Sequence, residues 1–286
     1  MTLSVVATPI GNLEDVTLRA LRTLREADLV LAEDTRRTRT LLERHGIRAR
    51  PRSLHAHNEA ARIREVLAAL AAGSRVALVS DAGTPLVSDP GERLVAAALA
   101  AGFAVEPVPG PSAVLAALTV SGLPAVPFAF LGFLPRRKSE RAARLAAWRD
   151  RPETLVLFES PRRAAATLAE LARALGDRPA CLARELTKLH EEVRRGSLAD
   201  LAREIQGELR GEVTIVVGGA ARDAVRTALR TSAADPAGAA PDLDGEIRRL
   251  LAAGEGSRAI ARELAARRGL SRREVYARTL ALRGRP

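Results

Sequence analysis

Six short polar stretches hold most of the side chains in this sequence that could do chemistry. They are TPIGN (Thr8–Asn12), AEDTRRT (Ala32–Thr38), SDAGTPLVSDPG (Ser80–Gly91), PGPSA (Pro109–Ala113), FESPRR (Phe158–Arg163) and RELTKLHEE (Arg184–Glu192). Each offers backbone amides and carbonyls with a few hydroxyls and carboxylates. That inventory suits a neutral or zwitterionic small molecule better than a polyphosphate. No G-x-G-x-x-G follows the first apolar run and no G-x-x-x-x-G-K-[ST] occurs, so neither the common dinucleotide turn nor a phosphate-cradling loop is expected. His55, His57, Glu59 and His190 form no His-Glu-x-x-His helix, and the lone Cys181 excludes an intrachain disulfide or a cysteine zinc site, so no metal is expected. A serine hydrolase would need a G-x-S-x-G elbow, which is absent. The Ser80–Gly91 stretch stands out by length. A bare strand-to-helix connection takes about 2–6 residues, so the excess is expected to line a ligand.

These loops need a scaffold, and the surrounding pattern supplies one. Apolar strand-like runs at 3–7, 29–32, 75–80, 104–108, 125–131, 154–159, 180–185 and 212–217 alternate with helical patterns at 16–26, 35–45, 59–72, 90–101, 112–121, 137–149, 161–175 and 197–206. Strands separated by helices predict an α/β fold with a parallel or mostly parallel sheet. Eight strands exceed one unit of roughly 100–150 residues. The chain is therefore divided into an N-terminal α/β domain (1–110) and a second α/β domain (111–220). Asp89 before Pro90, and Ser160 before Pro161, read as helix caps followed by a first-turn proline. Residues 221–245 read as a Pro/Gly-containing linker. Residues 246–286 read as a basic helix-turn-helix-like extension, with Ile260, Leu264, Leu270, Val275 and Leu280 as its small core and Ser271 and Glu274 spaced as a capping box.

Formal net charge is +11, and only two of 45 basic residues are lysines, Lys138 and Lys188. Two patches concentrate the charge. Residues 136–151 hold seven basic against two acidic residues, and residues 257–286 hold nine Arg against two Glu. Basic patches of this kind favour phosphate-rich partners. Aromatics make up 2% of the chain, so base stacking is expected only locally. No apolar run approaches the roughly 18 residues a membrane span needs, and the first residues lack a basic signal-peptide region. A soluble cytoplasmic protein is expected.

VATPIGNLEDVTLRAL, AEDTRRT, SDAGTPLVSDPG, VPGPSA and FESPRR, in that order, resemble the tetrapyrrole-methylase-type methyltransferases. More narrowly they resemble the group of bacterial 16S ribosomal RNA (cytidine-2′-O)-methyltransferases. The resemblance covers residues 3–218 and continues into the C-terminal helical piece. It implies two α/β domains of the class III methyltransferase type, with S-adenosylmethionine in the cleft between them. It also implies a homodimer and methylation of the ribose 2′-hydroxyl of a decoding-site cytidine in 16S rRNA or the small ribosomal subunit. Two alternatives are a small-molecule methyltransferase of the corrinoid type and a non-catalytic RNA-binding assembly factor. A DNA-binding regulator, suggested by the helical hairpin alone, would leave the loops of the first 220 residues unexplained.

Carried over by motif, the resemblance implies a donor site built from Asp81, Ala82, Gly83, Thr84 and Ser88, with Ser112 and Ala113 starting the helix beneath it. Phe158 would border the adenosine, Leu186, Glu212 and Val213 would close the far side, and Pro9 would reach the cleft from the first loop. Methyl transfer to a hydroxyl needs a proton acceptor. The candidates are Lys188, Glu185, His57, Glu59, Asp34 and Glu33. Lys188 with Glu185 is the preferred catalytic pair, because a buried lysine can lose its proton near neutrality and arginine cannot. Arg36, Arg37, Arg162 and Arg163 in the motif loops, with Arg267, Arg268, Arg272 and Arg273 in the extension, are the expected RNA contacts.

Overall fold

The computed structural model describes residues 1–55, 58–205, 209–220, 243–268 and 270–283. His57 and most of the expected linker lie outside the described residues. The chain forms two compact units, Met1–Val225 and Arg226–Pro286.

The first unit contains two five-stranded sheets. Strands β1 (Thr2–Val6), β2 (Leu29–Ala32), β3 (Arg52–Ser53), β4 (Val76–Val79) and β5 (Ala104–Val108) assemble in the order β3-β2-β4-β1-β5, all parallel. The alternation of side chains along each strand divides the core in two. Val6, Val30, Ala32, Ala77 and Val79 face helices α1 (Leu18–Glu26) and α2 (Thr35–Arg44). Leu3, Leu31, Val76 and Leu78 face α3 (Glu59–Ala71) and α4 (Glu92–Ala100). A sheet covered on both faces needs uninterrupted apolar strands, and β4 is buried at every residue. Two of these helix starts are capped by side-chain oxygens: Thr17 accepts from the Ala20 amide and Asp34 from the Arg36 amide.

The second sheet is mixed. It comprises β6 (Phe128–Phe133), β7 (Thr154–Glu159), β8 (Pro179–Arg184), β9 (Glu192–Ser197) and β10 (Val213–Val217) in the order β6-β7-β10-β8-β9. Only β6 and β7 run parallel; the other neighbours are antiparallel. This corrects the expectation of mostly parallel sheet in this half. The missed element is β9, a half-exposed edge strand of sequence EVRRGS without apolar alternation, joined to β8 by a turn too short to carry a helix. One face of this sheet packs on α6 (Lys138–Ala146), α7 (Ala164–Leu175) and α8 (Leu198–Glu204). The other face packs Val156, Cys181, Ala183 and Val216 against Val114, Ala117 and Leu118 of α5 (Ala113–Ser121) and against Ile10 and Leu186. Each such buried Val or Leu is worth about 1.5–3 kcal/mol. Ile10, carried on the loop after β1, is the first sheet's contribution to this core.

Two helix starts differ from expectation. Asp89 and Pro90 stay in the loop; Gly91, at φ 119°, precedes α4 and leaves no room for a side chain, since a Cβ there would stand 2.8 Å from Leu78. After Ser160, Pro161–Arg163 form a single 3-10 turn before α7 begins.

The second unit holds α9 (Leu243–Ala252), α10 (Ser257–Arg268) and α11 (Arg272–Arg283). Its core is Ile247, Ile260, Ala261, Leu264, Ala265 and Val275, with Leu270 partly buried against it. Leu280 is 47% exposed and is not part of this core; the buried face of the last helix turns instead through Val275 and Thr279. Among the described residues no helix is long and apolar enough to cross a membrane.

Candidate functional site

Two adjoining cavities open where the strand-end loops of the first unit meet. They share Ile10, Arg37, Asp81, Ala82 and Glu212 as walls. This is where open α/β sheets hold ligands, beyond the carboxyl ends of their strands.

The Ser80–Gly91 loop forms the largest wall, and hydrogen bonds from both sides fix its shape. The Ser80 hydroxyl donates to the Gly83 carbonyl (2.8 Å), and the Thr8 hydroxyl donates to the Ser80 carbonyl (3.1 Å). Thr8 and Gly83 exchange backbone hydrogen bonds at 2.9 and 3.0 Å. The Asp81 carboxylate accepts from the Asp34 amide (2.7 Å), and the Thr84 hydroxyl donates to Pro111 (3.3 Å). Gly83 has φ 85°, and a Cβ there would press on Ile10 at 3.3 Å, so a residue without a side chain is needed. Leu86, Ser88, Glu185 and Thr187 also have positive φ, and all four lie in the loops at the cleft. Non-glycine residues hold this conformation only where surrounding structure enforces it.

The larger cavity, open to solvent, spans about 1040 Å³. Asp81, Ala82, Gly83, Thr84 and Ser88 line one side, and Ser112 and Ala113 line its base. Phe158, Glu212 and Val213 stand opposite. Sequence reasoning missed Asp89, Phe133 and Glu159, which line it too. A glycine-phenylalanine pair closing a strand was the available signal for Phe133. Phe158 meets Phe130 edge-on (4.9 Å between centroids) and Phe133 at 5.7 Å, so three of the chain's five phenylalanines gather beside this cavity. Ser112 precedes α5 without a side-chain hydrogen bond to the helix, leaving the first-turn amides of α5 free to meet an anion.

The smaller, more polar cavity, about 810 Å³, is lined by Thr8, Pro9, Gly11, Thr38 and Lys188 besides the shared walls. Pro9 therefore belongs to this second space. Leu186 lines neither cavity; it is 9% exposed and packs in the core beneath them. On either side of it, the Glu185 carboxylate accepts from Lys188 and the Thr187 hydroxyl accepts from the Asn12 amide (3.0 Å), which fixes the turn. Glu33, Asp34 and Glu59 line neither cavity, and Glu59 is buried at the start of α3 with Arg93 at 4.0 Å.

Lys188 lines the smaller cavity, held by Glu185 (2.8 Å), which lines neither cavity, and by the shared Glu212 (3.1 Å). The Glu185 carboxylate also accepts from the Glu212 amide (2.9 Å). Burial disfavours the charge on Lys188, but hydrogen bonds to Glu185 and Glu212 outweigh it and raise the pKa above the ordinary lysine value. For Glu185, burial pushes upward and is outweighed by Lys188 and the Glu212 amide, leaving it lowered. The expectation of a free amine on Lys188 is thus corrected: the lysine is an ammonium between two carboxylates. Asp89 behaves oppositely. Burial, then the charges of Glu33 and Asp81, push it up to about 7. Glu33 is raised by burial and by Asp81.

The motif-loop arginines are largely committed within the protein. Arg36 closes on Asp34 (2.9 Å), which holds Asp34 down at about 2. Arg37 lies 3.7 Å from Glu212, and Arg163 lies 3.4 Å from the buried Glu159. Arg162, next to it, makes contacts as well. Glu159 also accepts from the Thr167 hydroxyl and the Ser160 amide, both at 2.7 Å. In the second unit Arg272 and Arg273 are exposed, and the side chains of Arg267 and Arg268 lie outside the described part.

An acid-walled cleft at the strand ends of two joined α/β sheets defines a small-molecule-binding α/β protein. The model of the tetrapyrrole (corrin/porphyrin) methylases matches residues 2–202, and the chain belongs to that family. It is 48% identical to ribosomal RNA small subunit methyltransferase I of Mesorhizobium japonicum over 284 residues, covering 98% of this chain and 92% of the relative. It is 47% identical to the Thermotoga maritima protein of the same name over 218 residues, which cover 76% of this chain and 98% of that relative. Among solved structures it resembles uroporphyrin-III-C-methyltransferase from Thermus thermophilus (TM-score 0.54, 25% identity, covering 76% of this chain and 94% of that one).

Proposed function

We propose that this protein transfers a methyl group from S-adenosylmethionine to the ribose 2′-hydroxyl of a decoding-site cytidine in the 16S RNA of the small ribosomal subunit, working in the cytoplasm as a homodimer. The observation that carries the donor assignment is the larger cavity's division of charge. Asp81, Glu212 and Asp89 stand on its walls, while the uncapped amino end of α5 lies at its base. A ligand with a sulfonium, an ammonium and a carboxylate matches that pattern, and the phenylalanine cluster offers a flat apolar surface for its adenine. Such a donor supplies an electrophilic methyl group.

The chain's own residues have three tasks. The Ser80–Gly91 wall and α5 orient the donor, and holding two reactants in line supplies much of the rate. Lys188 faces the smaller cavity, where the acceptor ribose approaches. As an ammonium it donates to the ribose oxygen and keeps Glu185 and Glu212 ionised. The hydroxyl proton passes to a carboxylate, and Asp81 and Glu212 are the ones that line both cavities. Calorimetry with S-adenosylmethionine, followed by labelled-methyl transfer to small ribosomal subunits and mass mapping of the product RNA, tests the reading. A labelled base, or label on a small tetrapyrrole instead of RNA, would overturn it.

A further inference from the structure

The second unit carries a feature that the cleft does not use. Arg258 and Arg262 of α10, with Arg272, Arg273 and Tyr276 of α11, surround a shallow concavity floored by Ala261. The four arginines are exposed, and among the described residues none makes a hydrogen bond or an ion pair. Nearby Arg278 shows the alternative, bonding Asp244 across to α9 at 2.6 Å. Four unpaired guanidinium groups on two helices repel one another, an arrangement that favours an anionic partner. Helical spacing sets the pattern. Positions 258 and 262 are one turn apart on α10, and position 276 lies one turn beyond positions 272 and 273 on α11. Tyr276 is the chain's only tyrosine. It packs one side on the small core of the unit and lines the concavity with the other. Ala261, 4% exposed, is too short to fill the space before the ring.

We propose that this concavity binds single-stranded RNA, with an unpaired base stacked on Tyr276 and the flanking phosphates held by Arg258, Arg262, Arg272 and Arg273. An aromatic ring ringed by cations suits a base and its backbone together, and only an unpaired base can leave its neighbours to cover such a ring. Arginine suits phosphate in particular because its planar fork donates two hydrogen bonds at once. The site lies outside the residues matched by the methylase family model. It deepens the proposed function, since it rests on RNA being the substrate class, and it adds a second contact on that substrate.

The test uses the full chain. A labelled single-stranded RNA of about 12 nucleotides with a central 2-aminopurine is titrated from about 50 to about 200 mM salt. The paired changes Arg258→Gln with Arg262→Gln, and Arg272→Gln with Arg273→Gln, should each lower the salt slope by about 1.4, from about 0.7 per lost phosphate contact. Tyr276→Leu should weaken binding about tenfold and abolish the 2-aminopurine quench, whereas Tyr276→Phe should keep both. S-Adenosylmethionine affinity should stay unchanged in every variant, which separates failure of this site from failure of the cleft. Because the arginines are exposed, their variants test the proposal even if Tyr276→Leu unfolds the unit. Unchanged salt slopes in both arginine pairs would overturn it. So would tighter binding of duplex DNA with the same sensitivity to the variants.

Discussion

The arginines of the cleft and those of the C-terminal unit differ in their partners. Around the cleft, Arg36, Arg37 and Arg163 each face a carboxylate of the protein. On the C-terminal unit, Arg258, Arg262, Arg272 and Arg273 face only solvent among the described residues. The same side chain therefore has two jobs. In the cleft it neutralises and positions acids that would otherwise repel one another. On the helical unit its charge remains available to a partner. Clustering of basic residues in sequence does not separate these jobs, because a pairing carboxylate can come from far along the chain, as Glu212 does for Arg37.

The comparison can be broken most severely at Lys188, the cation whose partners are both cleft acids. Lys188→Met should lower methyl transfer about 10²–10⁴-fold with donor affinity unchanged within about twofold. Full activity would remove Lys188 from the mechanism. Gly83→Val should raise the donor dissociation constant at least about tenfold, since the side chain must adopt φ near 85° and press on Ile10. Circular dichroism identical to wild type with unaltered calorimetry would refute that role. In the helical unit, Ile260→Ala should cost about 2–4 kcal/mol against under about 0.5 for Leu280→Ser, read as loss of that unit's protection in hydrogen exchange.

A smaller effect sharpens the electrostatic side of the comparison. Asp89 is raised to about 7 in the folded protein, so the native state binds its proton more tightly than the unfolded chain does. Stability should therefore be greatest near pH 4 with respect to this group and fall as pH rises towards about 7, then level. Asp89→Asn should flatten that part of the melting-temperature profile. A cationic donor entering the cleft should release protons below neutral pH, visible as buffer-dependent calorimetric heats; equal heats in all buffers would count against it. Smallest of all, Arg36→Gln should change RNA affinity less than about twofold, because Arg36 is engaged by Asp34.

Much of this was legible in the residues alone. The two-sided apolar strands announced the parallel first sheet, because burial on both faces leaves no polar alternation. Ser80–Gly91 announced a cavity wall by its excess length and its glycine and prolines. Ten of the twelve expected donor residues line the larger cavity. Leu186 and Pro9 are the exceptions: Leu186 packs into the core beneath, and Pro9 lines the smaller cavity together with Thr8 and Ile10, a division that only the packed loops decide. Strand β9 escaped notice because an edge strand rich in charge has no hydrophobic period to read.

The sequence by itself determined the composition of each loop, the alternation of helices with four of the five strands of the first sheet (the two-residue edge strand β3 gave no signal), and the concentration of arginine at the chain's end. Local chemistry suffices for these, since caps, periodicity and turn residues act within a few positions. Only the tertiary structure decided that β8 and β9 form a hairpin, that Lys188 stays charged between Glu185 and Glu212, and that Asp89 approaches neutrality instead of capping α4. Those outcomes depend on distances and burial among residues far apart in the chain, and a charge takes its pKa from what surrounds it in space.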